Sequence, residues 1–252
     1  MNFSIAGKTS LVTGANRGIG EAIVDALVAT GAKKVYAAAR NSADVAPLVA
    51  RHGNRVVALQ LDVTNNAHVA AAVAAAPDVQ LLVNNAGFAG MMGSNFTDPQ
   101  WIAAGRKEMD VNYFGTFAVI QAFAPVLERN GGGAIANLAS VASFANFPML
   151  LSYSVSKAAV HSLTQGTRML LGAQSTKVFG IYPGPIDTRM AEGLEMAKTS
   201  PADCASAIVA GIEAGTEDIF PDAMSQGMGA AYLASPKGLE KQVTAMVTGA
   251  TA

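Results

Sequence analysis

Short, mostly apolar runs alternate with alanine-rich stretches along the whole chain. The run Val79-Gln80-Leu81-Leu82-Val83 represents the first kind, because an almost continuous apolar run is expected of a strand that is buried on both faces of a parallel sheet. The alanine-rich stretches have the length of helices. This alternation predicts an α/β fold in which helices cover both faces of a parallel sheet.

The pattern predicts seven strands, seven helices and a single domain over residues 1–252, because no composition break marks a linker and no repeat of fixed period occurs. The strands are expected at about 8–13, 33–39, 55–61, 79–84, 133–139, 176–182 and 217–220. The helices are expected at about 18–30, 42–51, 65–75, 99–129, 152–171, 201–214 and 236–247.

Composition excludes several classes of function. Hydrophobic residues make up 51% of the 252 residues and charged residues only 14%, so most of the chain must pack against itself. No apolar stretch approaches the length of about 18 residues that a membrane span needs, and the start of the chain lacks the features of a signal peptide. The net charge of -1, without a run of Lys or Arg, argues against binding to nucleic acid or to an anionic membrane.

The sulfur and imidazole side chains predict neither a disulfide nor a metal site. Cys204 is the only cysteine, and we expect it to be buried on a helix in a protein of the reducing cytoplasm. The three histidines are scattered and have no Cys or His partner at the spacing of metal ligands.

A glycine-rich loop follows the first predicted strand and leads into a helix. Glycines at such a junction let the backbone approach a pyrophosphate, whose charge is favoured by the N-terminus of the helix. The loop therefore predicts a dinucleotide site, although an ordinary glycine-rich loop is the alternative. The residues expected to contribute are Gly14, Asn16, Arg17, Gly18, Ile19 and Gly20.

The end of the second predicted strand indicates which dinucleotide is bound. A carboxylate there would bind the ribose 2′-hydroxyl and repel a 2′-phosphate, but this chain has Arg40 and Asn41 instead. Arg17, in the glycine-rich loop, can reach the same point, and two guanidinium groups suit a phosphate. We therefore expect NADPH rather than NADH; the alternative is that both arginines are solvated surface charges.

Two later strand ends extend the predicted cofactor site. Asp62 and Val63 follow the third strand, where Asp62 either accepts a hydrogen bond from the adenine amino group or caps the next helix, a cap that Thr64 could also supply. The fourth strand runs into Asn84 and then Asn85, Ala86 and Gly87, small residues that allow a flat ligand to come close to the backbone. Alone, this motif could be only a turn.

Tyr153 and Lys157 lie one helical turn apart, thirteen and seventeen residues after Ser140. An ammonium about 4 Å from the phenol, at an effective dielectric constant of about 20, contributes roughly 4 kcal/mol. We therefore expect Lys157 to lower the pKa of Tyr153 toward the range in which proton transfer is efficient. Alone, the pair could share a helical face by accident.

Together these motifs resemble the short-chain dehydrogenase/reductase family, in the right order and spacing over about residues 6–190. The resemblance implies a doubly wound Rossmann-like domain that transfers hydride between a nicotinamide and an alcohol or ketone. It also implies a homodimer or homotetramer. The matching residues are Thr13, Gly14, Gly18, Gly20, Asp62, Asn84, Asn85, Ala86, Gly87, Asn112, Ser140, Tyr153, Lys157, Pro183, Gly184 and Thr188.

The resemblance also implies roles for individual side chains. Ser140 would hydrogen-bond the carbonyl oxygen and Tyr153 would give it a proton. Lys157 would lower the pKa of Tyr153 and hold the nicotinamide ribose, while Asn112 would hold a water that links Lys157 to solvent. Pro183, Gly184, Ile186 and Thr188, after the sixth strand, would belong to the cofactor site. There the Ile186 backbone and the Thr188 hydroxyl would hold the nicotinamide carboxamide; the alternative is a simple Pro-Gly turn.

The substrate is expected to be a small ketone or aldehyde with hydrophobic substituents, under a loop at about 186–200. Its pocket residues would be Phe88, Val141, Phe147, Met149, Leu150, Met190 and Leu194, unless these side chains form core under the loops. Two other functions stay open. One is reduction of a 3-ketoacyl thioester on a carrier protein, and the other is NADPH sensing without turnover.

Overall fold

The computed structural model describes residues 2–248, so Met1 and residues 249–252 of the predicted domain lie outside the described part. Seven parallel strands form one sheet in the order β3-β2-β1-β4-β5-β6-β7, which confirms the predicted fold class. The strands are β1 (Thr9–Thr13), β2 (Lys34–Ala39), β3 (Val56–Gln60), β4 (Leu81–Asn84), β5 (Gly133–Leu138), β6 (Thr176–Ile181) and β7 (Asp218–Ile219).

Nine α-helices lie within residues 2–248. They are α1 (Gly18–Ala29), α2 (Ala46–His52), α3 (Asn66–Ala75), α4 (Gln100–Glu108), α5 (Thr116–Arg129), α6 (Leu151–Leu171), α7 (Pro201–Ala214), α8 (Ala223–Ala234) and α9 (Pro236–Thr248). In this part of the chain no helix combines the length and the apolar character that crossing a membrane requires.

Each face of the sheet has its own apolar core. Neighbouring strand residues point to opposite faces, so Val12 packs with α1 and α7 whereas Leu11 packs with α3 and α5. Cys204 is buried in the core on the α7 side, as the sequence predicted. The strand order reverses between β1 and β4, and this switch point opens a crevice at the carboxyl ends of the strands.

The prediction of one continuous helix at 99–129 is wrong. Helices α4 and α5 are joined by a π-helical segment, Met109–Gly115, that brings Asn112 into the interior. A Cβ atom on Gly115 would lie 2.6 Å from Cγ2 of Val63, so the lack of a side chain there lets the segment approach the chain after β3. Wide turns of this kind are rare and leave no periodic signal in a sequence.

Helix α8 was not predicted. Gly227 and Gly229 lie in its interior and lower its intrinsic helix propensity by about 1 kcal/mol each relative to alanine. Its start is fixed by Asp222, whose side chain accepts a hydrogen bond from the Ser225 amide while the Ser225 hydroxyl accepts one from the Asp222 amide. Tertiary packing and this capping box outweigh the weak propensity.

Candidate active site

The predicted motifs converge at the carboxyl edge of the sheet. Glycines 14, 18 and 20 follow β1, and Asn84 ends β4. Ser140 comes two residues after β5, and Pro183 two residues after β6. Since β1, β4, β5 and β6 are neighbours in the parallel sheet, the loops that follow these strands border one crevice.

The glycine-rich loop presents the N-terminus of α1. Arg17 precedes the helix, but its side chain makes no capping hydrogen bond, so the first backbone amides are left for another acceptor. Gly14 has a φ of +63°, and a Cβ atom there would lie 2.9 Å from Cα of Ala86. Only glycine fits this position, and the uncapped helix start is suited to an anion.

The end of β4 is tied to this loop by side-chain hydrogen bonds. The Thr13 hydroxyl accepts from the amides of Asn85 and Ala86, each at 3.0 Å. Nδ2 of Asn85 donates to the carbonyls of Thr13 and Gly14 at 2.9 and 3.0 Å. On the side of β4 away from β1, Nδ2 of Asn84 donates to Oδ1 of Asn137 on β5 at 2.8 Å. Both asparagines therefore fix the walls of the crevice.

Arg17 and Arg40 are exposed beside the loop, and within residues 2–248 neither forms an ion pair. No carboxylate ends β2, which stops at Ala39. The Asn41 side chain accepts from the Ala43 amide at 3.1 Å, so it caps the short 3₁₀ turn Ser42–Val45 that precedes α2. The helix predicted at 42–51 thus begins as a 3₁₀ turn.

Asp62 forms a local turn at the end of β3. Its Oδ1 accepts from the Thr64 amide at 3.0 Å and from the Thr64 hydroxyl at 2.7 Å. Burial works against ionisation, but these hydrogen bonds and the charge of Arg40 leave the pKa of Asp62 below its usual range. The α3 cap is Asn65, so neither Asp62 nor Thr64 has the capping role that the sequence suggested. The Val63 side chain is buried in the core.

Tyr153 and Lys157 lie in α6, where the tyrosine is half-buried and the lysine is buried. Nζ of Lys157 donates to the Leu138 carbonyl at 2.7 Å and lies 5.7 Å from the centroid of the Tyr153 ring. Burial lowers the pKa of Lys157 to about 8. A buried ammonium is held here by a backbone carbonyl at the end of β5.

The expected lowering of the Tyr153 pKa is wrong for this structure. Burial raises the pKa of Tyr153 to about 12, an interaction with Ser140 lowers it in part, and the charge of Glu108 raises it further. A lowered pKa would need an ammonium about 4 Å from a solvated phenol, whereas Nζ of Lys157 lies 5.7 Å from the ring centroid and the phenol is desolvated. Desolvation of the phenolate raises the pKa by more than the Ser140 hydroxyl lowers it.

Ser140 begins the turn after β5. Its hydroxyl accepts from the Ala142 amide at 3.2 Å and donates to the Pro183 carbonyl at 3.4 Å. The side chain is nearly buried, and its interaction with the phenol of Tyr153 is strong enough to lower the pKa of that group. Ser140 therefore connects Tyr153 with the segment that follows β6.

Asn112 is fully engaged as a hydrogen-bond donor. Nδ2 donates to the Phe88 carbonyl at 2.9 Å and to the Ser156 hydroxyl at 2.8 Å, while Oδ1 accepts from the Phe88 amide at 2.7 Å. One lone pair of Oδ1 is left for a further partner. The side chain thus positions the chain after β4, and the water that the sequence assigned to it stays a prediction.

The segment after β6 is held from two sides. The Gly184 amide donates to Oδ2 of Asp222 at 2.8 Å. A Cβ atom on Gly18 would lie 3.2 Å from Cγ2 of Thr188, which places Thr188 beside the glycine-rich loop. A parallel bridge between Ile186 and Thr199 closes the base of the loop predicted at about 186–200.

The residues predicted to line the substrate pocket divide into two groups. Val141 is buried and Phe147 packs beside it, both in a small core with Met228, Leu239 and Val243 of α8 and α9. The core interpretation therefore applies to Val141, because the C-terminal helices cover it. The other predicted residues have solvent-accessible surface: Phe88, Met149, Leu150, Met190 and Leu194.

A polar cleft lies at the predicted substrate loop, and none of the residues predicted to form the substrate pocket lines it. It has a volume of about 430 Å³. Its lining residues are Asp187, Thr188, Arg189, Glu192, Gly193 and Lys198. Charges of both signs therefore line this cleft. Among residues 2–248 no group of three or more His, Cys, Asp or Glu residues could hold a metal ion.

Two residues at the site were missed from the sequence. Asp222 fixes both Gly184 and the start of α8, and the spacing of Asp222 and Ser225 as a capping box was the available signal. Glu108 is fully buried, and its Oε1 accepts from the Gly90 amide at 2.7 Å. A single glutamate within a helix gives no sequence signal of this kind.

Comparison with known proteins agrees with this geometry. The family model described as short chain dehydrogenase matches residues 8–199. An uncharacterized oxidoreductase of Staphylococcus aureus is 34% identical over 211 residues, which cover 80% of this chain and 89% of that protein.

Solved structures show the same similarity. A short chain dehydrogenase from Burkholderia cenocepacia in complex with NADP has a TM-score of 0.88 and 37% identity, covering 96% of this chain and 99% of that one. A 7α-hydroxysteroid dehydrogenase complexed with NADH and 7-oxo glycochenodeoxycholic acid has a TM-score of 0.77 and 28% identity, covering 87% and 94%. With the glycine-rich loop and the Ser140, Tyr153 and Lys157 cluster in place, the chain belongs to the short-chain dehydrogenase family of oxidoreductases.

Proposed function

We propose that this protein is an NADPH-dependent carbonyl reductase that converts a small ketone or aldehyde into the alcohol. The observation that carries the proposal is the meeting of Ser140, Tyr153 and Lys157 at the carboxyl edge of the sheet, the edge at which the uncapped N-terminus of α1 also lies. The N-terminus of α1 suits an anionic dinucleotide, and the cluster of three side chains suits proton transfer to an oxygen.

The residues present fit NADPH. The free amides at the start of α1 suit its pyrophosphate, and Arg17 and Arg40 are unpaired cations for its 2′-phosphate. Asp62 is held as a carboxylate that can accept from the adenine amino group. The similar Burkholderia protein was solved in complex with NADP, which supports this choice. When bound, NADPH supplies a hydride to the carbonyl carbon and becomes NADP⁺, while the carbonyl oxygen takes a proton.

Tyr153 is the proton donor. With a pKa raised to about 12, its hydroxyl stays protonated at neutral pH and can donate to the carbonyl oxygen as negative charge develops there. Ser140 offers a second hydroxyl to the same oxygen and orients the phenol. Lys157, with a pKa lowered to about 8, remains largely an ammonium at pH 7 and stabilises the phenolate that the proton transfer leaves.

The substrate is a carbonyl compound with hydrophobic substituents. Met149 and Met190, two of the residues expected to line its pocket, have exposed side chains that would give the pocket flexible apolar surface. The 7α-hydroxysteroid dehydrogenase that resembles this chain was solved with a 7-oxo compound, which supports a keto group as the reacting centre.

The test is NADPH consumption with a panel of aryl ketones, β-keto esters and 3-ketoacyl thioesters. We expect turnover of ketones with apolar substituents. A preference for carrier-bound thioesters would assign the protein to fatty-acid chemistry instead. Tight binding of NADPH without consumption by any member of the panel would contradict the proposal and support a sensor. A homodimer or homotetramer, and a cytoplasmic location, stay predictions.

A further inference from the structure

Ser156 is a buried hydroxyl of α6 that the proposed reaction does not use. It lies three residues after Tyr153 and one residue before Lys157, and its side chain is excluded from solvent. A hydroxyl has a single proton to donate and two lone pairs that can accept, and a buried hydroxyl needs partners for them. The partners of Ser156 belong to two different elements of the active site.

The Ser156 hydroxyl lies between the Asn112 side chain and the backbone of Tyr153. Its Oγ donates to the Tyr153 carbonyl at 2.7 Å and accepts from Nδ2 of Asn112 at 2.8 Å. Because the single proton of Ser156 goes to the carbonyl, only the NH₂ end of the Asn112 amide can face this hydroxyl. The oxygen of Asn112 then faces away from Ser156, where it accepts from the Phe88 amide at 2.7 Å.

The same hydroxyl binds one end of the helical turn that carries Tyr153 and Lys157. An α-helix pairs the carbonyl of residue 153 with the amide of residue 157, so Ser156 holds the start of this turn. At the end of the turn, the Ser143 hydroxyl donates to the Lys157 carbonyl at 2.8 Å. Nζ of Lys157 donates to the Leu138 carbonyl at 2.7 Å. The turn is therefore held by β5 and the residues after it on one side, and through Ser156 by the π-helical segment on the other.

The orientation of the Asn112 amide matters because Lys157 is near. A Cβ atom on Gly87 would lie 3.5 Å from Oδ1 of Asn112 and 3.6 Å from Nζ of Lys157. Both atoms thus border one small space beside the chain after β4. In the observed orientation an acceptor and an ammonium border this space, whereas a rotated amide would bring two donor groups to it.

A second hydroxyl of α6 makes the same pattern of contacts away from Tyr153. Oγ1 of Thr164 donates to the Val160 carbonyl at 2.8 Å and accepts from Nδ2 of Asn137 at 3.1 Å. Its side chain is also fully buried. Thr164 lies about two turns after Ser156, so it binds α6 to β5 without contacting the turn of Tyr153 and Lys157. The two hydroxyls are a matched pair that differ in their position relative to Tyr153.

We propose that Ser156 is a positioning residue that joins Asn112 to the turn of Tyr153 and Lys157. Its hydroxyl orients the Asn112 amide and holds the Tyr153 carbonyl, which keeps this turn aligned for proton transfer. The inference rests on the proposed function. It assigns Ser156 an effect on kcat for ketone reduction and none on the affinity for NADPH.

The test compares Ser156→Ala with Thr164→Val in ketone reduction, NADPH binding and unfolding in urea. Each variant removes a buried hydroxyl that accepts from an asparagine, so both should be less stable than the wild type. Ser156→Ala should lower kcat by roughly fivefold to tenfold, the effect of one lost hydrogen bond at the reacting groups, and should change the Kd for NADPH by less than about twofold. Thr164→Val should keep kcat within about twofold of the wild type.

A double variant tests whether Ser156 acts through Asn112. In an Asn112→Ala background, Ser156→Ala should lower kcat by less than about twofold, because the connection between the two elements is already lost. A fall in kcat as large in this background as in the wild type would overturn the inference.

Equal kcat in the wild type and Ser156→Ala would overturn the inference and leave the proposed function intact. Equal falls in kcat in Ser156→Ala and Thr164→Val would also overturn it, since the effect would then be a general loosening of α6. A wild type that reduces no carbonyl compound would overturn the proposed function and the inference with it. Ser156→Cys, which has a similar volume and only a weak donor, replaces the alanine variant if that variant does not fold.

Discussion

At the residue scale, the proposed preference for NADPH rests on the residues that follow β2. Ala39 is followed by Arg40, where a carboxylate would bind the ribose 2′-hydroxyl and repel a 2′-phosphate. Arg40 and Arg17 are exposed and unpaired within the described residues. Their guanidinium groups are free to make charge-assisted hydrogen bonds with a phosphate.

Arg40→Asp should therefore reverse or abolish the preference for NADPH. Loss of a hydrogen bond to a charged group predicts a fall of about tenfold to hundredfold in kcat/KM for NADPH relative to NADH. The measurement is steady-state kinetics with each cofactor at a fixed ketone concentration. Arg106→Asp makes the same change on the exposed surface of α4 and serves as the control. An unchanged cofactor ratio in Arg40→Asp would refute the assignment of the 2′-phosphate site.

The residues that the sequence revealed carry distinctive chemistry at fixed spacing. Tyr153 and Lys157 lie one turn apart, and Ser140 follows a strand, so the cluster could be predicted. The pKa of Tyr153 could not be predicted, because it is set mainly by burial of the phenol, which depends on the packing of segments distant in sequence. Glu108 was missed for the same reason: a glutamate in a helix is solvated far more often than buried.

At the element scale, α8 ties the C-terminal part of the chain to the active site. Asp222 accepts from the Ser225 amide at 2.9 Å and from the Gly184 amide at 2.8 Å. Helix α8 also covers Val141, the residue after Ser140. Helix α8 could not be predicted from the sequence, because its glycines lower its helix propensity. The π-helical segment around Asn112 could not be predicted either, because a wide turn has no periodic pattern.

Asp222→Ala should lower both stability and cofactor affinity. Loss of the cap costs about 1 kcal/mol, and the unpaired Gly184 amide costs roughly 1–3 kcal/mol more. We expect the free energy of unfolding in urea to fall accordingly and the Kd for NADPH to rise several-fold. Ser235→Ala is the control, because it removes the acceptor of the Gly238 amide at the start of α9. It should lower the free energy of unfolding and leave the Kd for NADPH unchanged. Equal NADPH affinity in Asp222→Ala and the wild type would contradict the role of Asp222.

At the scale of the whole molecule, two apolar cores hold the sheet and leave the switch-point crevice open. This architecture could be predicted, since apolar strands and alanine-rich helices alternate regularly. The surfaces that contact another subunit could not be predicted, because an apolar helix face buried within a monomer has the same sequence pattern as one buried between subunits. In the structure, Phe114 of the π-helical segment and Phe117 at the start of α5 remain 56% and 41% exposed.

These exposed rings are the basis for the expected assembly. Apolar side chains clustered on one helical surface favour association, as the family resemblance also implies. Phe114→Asp with Phe117→Asp should shift a dimer or tetramer to a smaller species in analytical ultracentrifugation. Phe96→Asp places the same charge on an exposed ring of the loop before α4 and should leave the assembly unchanged. A wild type that is monomeric at micromolar concentration would contradict the prediction.

In the proposed reaction, the Tyr153 hydroxyl gives the proton that completes carbonyl reduction. The test compares Tyr153→Phe with the wild type for ketone reduction and for NADPH binding. Tyr36→Phe is the control, because the Tyr36 hydroxyl donates to Asp78, which precedes β4 at the edge of the sheet opposite the crevice. Tyr153→Phe should lose about 10²–10⁴-fold in kcat, the contribution of a positioned acid, while its Kd for NADPH changes by less than about twofold. A Tyr153→Phe enzyme that keeps more than about a tenth of wild-type turnover would contradict the mechanism.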